Sequence, residues 1–197
     1  MAAAGRRLAA VLLTACGFVS LLPAADLCEG CWELGGRGSL LLPGGGSGLK
    51  TTEGIGAFAA FRFRPYWAIH FGLDRLPGSV EDGPDETLTL LMVRGAYTFR
   101  SSRDQRTRPF GYFGAGLIQD QVRPQSRSVA TAVGRVTVRS GPDSDSGIVY
   151  TLGGGSLTSF GTRTWLRLEG QWITWATFGI GENSFRILAT LSFRVGR

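Results

Sequence analysis

Phe185-Arg186-Ile187-Leu188-Ala189-Thr190-Leu191-Ser192-Phe193-Arg194-Val195, close to the C-terminus, is the stretch on which the fold turns. Phe185, Ile187, Ala189, Leu191, Phe193 and Val195 alternate with Arg186, Leu188, Thr190, Ser192 and Arg194. A period of two belongs to a β-strand, whose successive side chains point to opposite faces.

The same period runs back through the chain. Thr164 to Trp175 sets Leu166, Leu168 and Trp172 against Arg167, Glu169 and Gln171. Thr87 to Phe99 sets Leu91, Val93, Tyr97 and Phe99 against Met92, Arg94, Ala96 and Thr98. A strand from Trp67 carries Trp67, Ile69, Phe71 and Leu73 opposite Ala68, His70, Gly72 and Asp74. Ile55 to Arg64 and Trp32 to Leu41 complete the clear set; in the latter Trp32, Leu34 and Leu40 oppose Glu33, Arg37 and Ser39. Pro109 to Gln119 and Ile148 to Phe160 are glycine-rich, and their facing is ambiguous from the pattern alone. Downstream of residue 30 no 3.6-residue pattern competes, so the chain is all-β with eight strands. Strands of roughly 10 to 13 residues suit a tilted membrane crossing, which needs about 9–11.

Composition narrows the class. Of 197 residues, 43% are apolar, only 18% are charged and 11% are aromatic, which excludes a disordered chain. Thirty glycines without a Gly-X-Y period exclude collagen. The net charge of +6 comes with little total charge, so a nucleic-acid partner is not expected. Arg6 and Arg7, the apolar run Leu8 to Leu22 and Pro23-Ala24-Ala25 read as a signal peptide over residues 1–25, leaving one domain over 26–197. Leu13-Thr14-Ala15-Cys16 also resembles a lipobox, an alternative processing site. No later run approaches a membrane-spanning helix. Export then leaves a soluble extracytoplasmic protein or a membrane β-barrel.

Connections favour the barrel. Pro65-Tyr66 and Gly161-Thr162-Arg163 are tight, whereas Leu42 to Gly54, Pro77 to Glu86, Asp120 to Gly147 and Ala176 to Asn183 are long. Short turns on one rim and long loops on the other describe an outer-membrane barrel. The polar face carries Glu33, Arg37, Arg62, His70, Asp74, Arg94, Arg167, Glu169 and Arg186, a mixed-sign set able to pair across an eight-stranded lumen. Its apolar counterpart then faces lipid. Aromatics near strand ends (Trp32, Phe63, Tyr66, Trp67, Phe99, Phe110, Tyr112, Trp165, Trp175 and Phe193) would form interfacial girdles.

From Cys31 onward the chain resembles the small eight-stranded outer-membrane barrels of the OmpA/OmpX-like group. The resemblance is carried by Trp32-Glu33-Leu34-Gly35, by Phe61-Arg62-Phe63-Arg64-Pro65-Tyr66-Trp67-Ala68, by Arg108-Pro109-Phe110-Gly111-Tyr112-Phe113-Gly114-Ala115-Gly116-Leu117, and by the last strand to Phe193. Arg194-Val195-Gly196-Arg197 extend beyond the terminal aromatic typical of the group. The resemblance implies an eight-stranded antiparallel up-and-down transmembrane barrel in the cell outer membrane. It implies a monomer among outer-membrane lipids and lipopolysaccharide, inserted by the barrel assembly machinery. The implied role is structural, adhesive or one of surface interaction, with at most minor small-solute passage.

Other chemistry is weakly signalled. Gly44 to Thr51 lacks the Gly directly before Lys that a phosphate-binding loop needs, and a strand rather than a helix follows it. Cys28 and Cys31 read as a local disulfide in an exported chain, without the ligands for a metal site. Barrels that resemble lipid A deacylases pair a His with a Ser two residues on; His70-Phe71-Gly72 has none. The expectation is a non-enzyme without cofactor. A lipid-modifying enzyme and a soluble lipocalin-like ligand-binding barrel are the alternatives.

Overall fold

The computed structural model describes residues 27–44, 51–79, 85–100, 106–122, 126–131, 134–139, 143–177 and 180–196. The leader read over 1–25 and the stretches 45–50, 80–84 and 101–105 lie outside these described residues. Ten strands follow in order: β1 (Cys31–Pro43), β2 (Thr52–Arg64), β3 (Trp67–Ser79), β4 (Asp85–Thr98), β5 (Thr107–Val122), β6 (Ser126–Thr131), β7 (Gly134–Arg139), β8 (Asp143–Phe160), β9 (Thr164–Thr177) and β10 (Ile180–Val195).

Eight of them close a barrel in the order β1-β10-β9-β8-β5-β4-β3-β2. Each neighbouring pair is antiparallel, and β1 meets β10 from Trp32↔Val195 to Pro43↔Ser184. Closure leaves no strand edge, so every ladder group in the wall can find its partner without water.

β6 and β7 form a separate two-stranded hairpin between β5 and β8, paired from Ser126↔Arg139 to Thr131↔Gly134. The sequence pattern implies only a long connection there, Asp120 to Gly147. Two six-residue strands without an Asn-Gly or Asp-Gly turn between them give little pattern to detect. The rim contrast is also smaller than the pattern implied, because the strands run further than their apolar cores. Only residues 44–51, 80–84 and 178–179 separate β1–β2, β3–β4 and β9–β10. Residues 123–142, with the hairpin, are the one large excursion from that rim.

The two faces of the wall are now fixed for every barrel strand. Trp32, Leu34, Ile69, Phe71, Leu73, Leu91, Val93, Leu168, Trp172, Ile187, Leu191 and Phe193 point outward and are exposed. On β5 and β8, where the pattern was ambiguous, Phe113, Leu117, Ile148, Tyr150 and Leu152 point out, while Phe110, Tyr112, Ile118, Val149, Thr151 and Leu157 point in. Glycine weakens the pattern of these two strands, but their register with β4 and β9 leaves no freedom of facing.

The lumen is layered. At the turn rim lie Ala96, Phe110, Tyr112, Leu157 and Trp165. At the opposite rim lie Leu41, Leu76, Leu88, Leu90, Met92, Ile118, Val149 and Ile173, with Trp175 against them. The charges sit between. Phe110, Tyr112, Trp165 and Trp175 are therefore luminal rather than members of an outer girdle. Trp165 and Trp175 share the parity of Arg167, Glu169 and Gln171, and parity, not nearness to a strand end, decides the face. The outer girdle at the turn rim includes Trp32 beside Phe61, ring centroids 5.0 Å apart, and Trp67 beside Tyr97 at 4.8 Å, with Phe99 against Tyr97 at 5.4 Å and with Phe63 and Phe193 exposed as expected.

Candidate functional site

The candidate site is the charged middle layer of the lumen. Glu33 of β1 accepts from Arg62 of β2 at 3.1 Å and from Arg167 of β9. Asp74 of β3 accepts from Arg37 of β1 and from Arg186 of β10 at 2.8 Å. Glu169 of β9 accepts from Arg94 of β4 at 2.9 Å. The side chains in these bridges are at most 1% exposed. The result is two arginine–carboxylate–arginine triads and one simple pair. β3 and β10, and β4 and β9, are not neighbours in the barrel, so these bridges span the lumen.

Secondary contacts hold the layer in place. Arg186 donates to the Ser39 hydroxyl at 2.8 Å, and Arg62 donates to the Pro65 carbonyl at 3.1 Å. The Arg94 guanidinium lies 4.4 Å from the Tyr112 ring centroid, and that of Arg167 lies 4.7 Å from Phe58. Gln171 donates to the Thr151 hydroxyl at 2.8 Å. His70 faces Arg167 rather than Asp74: Arg167 Nη1 lies 3.1 Å from His70 Nε2. A guanidinium has only donors, so Nε2 accepts and the imidazole proton sits on Nδ1.

Glycine makes room for this. A Cβ at Gly72 would meet the Arg37 guanidinium, and one at Gly56 would meet the Asp74 carboxylate and the Leu73 carbonyl. Gly56→Ala is expected to destabilise the barrel by about 1–3 kcal/mol through overpacking. A lower urea midpoint, read as loss of the folded band on unheated gels, checks it; an unchanged midpoint would show that the pair can shift aside.

At the turn rim, Cys28 and Cys31 are bonded to each other. Gly30 takes a positive φ of 69° and donates its N–H to the Arg62 carbonyl at 2.8 Å. This folds the N-terminal segment back so that Leu27 packs on the aromatic layer at the barrel mouth.

Chemically the layer is a plug. Among the described residues no three His, Cys, Asp or Glu gather as a metal site. The bridged arginines lie buried between the two apolar clusters. Each residue singled out in the sequence for the polar face, Glu33, Arg37, Arg62, His70, Asp74, Arg94, Arg167, Glu169 and Arg186, lies in this lumen and is buried. Tyr112, expected in an outer girdle, lines the same layer; Phe58 and Ser39 line it too, on the face that their parity with Arg62 and Arg37 assigns them.

No protein-family model and no curated protein matches the chain. Solved structures do match. Neisserial surface protein A aligns with a TM-score of 0.60 at 12% identity, covering 84% of this chain and 99% of that one. The outer-membrane protein OprG of Pseudomonas aeruginosa aligns at 0.55 with 7% identity, covering 89% and 100%. The attachment invasion locus protein Ail of Yersinia pestis, in complex with the heparin analogue sucrose octasulfate, aligns at 0.53 with 14% identity, covering 85% and 100%. The fold is thus that of the small eight-stranded outer-membrane barrels. A closed wall, apolar outside and charged inside, is what a bilayer demands of a spanning barrel and the inverse of a soluble one. Fold and wall together locate the protein in an outer membrane.

Proposed function

We propose that this protein is a surface-interaction barrel: a plugged scaffold that presents the β6–β7 hairpin outside the cell for contact with anionic surface polymers. The observation that carries the reading is the division of labour in the fold. The lumen is filled, while the one large excursion from the loop rim is built as a paired hairpin. Binding tends to reside on such elements held by a rigid scaffold. In sequence the hairpin carries Arg127, Arg135 and Arg139 among Ser126, Ser128, Thr131 and Thr137. Arginines among hydroxyl residues suit sulfate or phosphate groups, which guanidinium groups bind bidentately. The likeness to Ail, solved with a heparin analogue, supports the same chemistry.

The test is whole-cell binding of labelled heparin, since intact cells expose the loop rim and not the periplasmic turns. Deleting 126–139 is expected to abolish binding while leaving the barrel inserted and heat-modifiable on gels. Equal binding by the deletion strain would remove the hairpin from the function.

A further inference from the structure

The luminal layer does not balance. Among the described residues, the five arginines of the bridges (Arg37, Arg62, Arg94, Arg167 and Arg186) face the three carboxylates they pair with (Glu33, Asp74 and Glu169), an excess of two positive charges within the bridged layer. The Arg94–Glu169 pair is neutral by itself, so the excess sits on the two triads. Arginine does not escape burial by giving up its proton. A lone charge in a low-dielectric interior is costly unless something pairs with it, and here lipid surrounds the wall. The rings of Phe58 and Tyr112 offset part of this for Arg167 and Arg94 only, and weakly.

Donors remain as well. Arg62 Nε and Arg167 Nε in the Glu33 triad, and Arg37 Nη1 and Arg186 Nε in the Asp74 triad, are buried without a hydrogen-bond partner. So is His70 Nδ1, the atom left carrying the imidazole proton. His70 stands two residues from Gly72, over which the Arg37 guanidinium lies, and so joins one triad to the other along β3. Water can satisfy N–H groups but cannot cancel charge.

We propose that the lumen binds a small inorganic anion of halide size between the Glu33 and Asp74 triads, as the counter-ion of the excess arginine charge. The unpartnered arginine and imidazole donors would supply its ligands. The site rests on the reading of the barrel as lipid-enclosed, and goes beyond the hairpin's role outside.

Crystals of the folded barrel grown or soaked in sodium bromide test it directly. The expected result is an anomalous bromide peak in the charged layer, within hydrogen-bond distance of the unpaired arginine donors. In solution, the wild-type urea midpoint is expected to be higher in sodium chloride than in sodium gluconate at equal ionic strength. Arg62→Met with Arg186→Met leaves one arginine per carboxylate and should remove that difference. A lumen without bromide, or equal wild-type midpoints in the two salts, overturns the proposal even if the double variant does not fold. Heat-modifiability scored on the same samples keeps this separate: a folded, heat-shifting barrel indifferent to the anion sinks the anion site alone.

Discussion

Asp74→Asn is expected to lower the stability of the folded barrel by about 3–5 kcal/mol, the scale for removing one partner of a buried ion pair. Asp74 is the common acceptor of Arg37 and Arg186. Asparagine keeps its shape but removes the charge that both guanidinium groups share, leaving two cations buried without a carboxylate. Adding Arg37→Met and Arg186→Met should recover most of the loss, because replacing a whole buried ionic group by apolar side chains is often neutral or stabilising. Urea titration of the folded band, with unheated and boiled samples side by side, reads both steps. A loss below about 1 kcal/mol for the single variant would mean that water reaches the layer and screens it as at a surface.

Leu91→Arg should cost about 2–4 kcal/mol, the scale for arginine at the bilayer midplane on a lipid-facing strand position. Leu91 lies midway along β4, points outward and is flanked across the sheet by Leu73 and Leu117. In a water-soluble barrel the same exposed position would tolerate arginine within about 0.5 kcal/mol. The substitution therefore distinguishes a lipid-facing wall from a solvated one with a single measurement in lipid vesicles. A neutral result would turn the barrel's outer face toward water.

How much of this was legible beforehand follows from the physics of each feature. Strand parity is a covalent property, read without any partner. It placed Arg186, Leu188, Thr190 and Ser192 on one face of the last strand, and that face is buried. It failed where glycine thins the pattern, on β5 and β8, and where it was set aside, at Trp165 and Trp175. The β6–β7 hairpin escaped because its strands are short and no Asn-Gly or Asp-Gly pair lies between them.

The amino-acid sequence by itself determined the eight barrel strands and the segregation of charge from apolar surface, since alternation and turn residues are local. Only the tertiary structure decided which charges meet. Glu33 and Arg167 are 134 residues apart, and Arg94 and Glu169 are 75 apart, on strands that never pair. Their meeting depends on closure of β1 onto β10 and on the stagger of the whole barrel, quantities that no single segment contains. The same closure turns a list of arginines and carboxylates into two triads and a pair, and so creates the charge imbalance at the centre of the molecule.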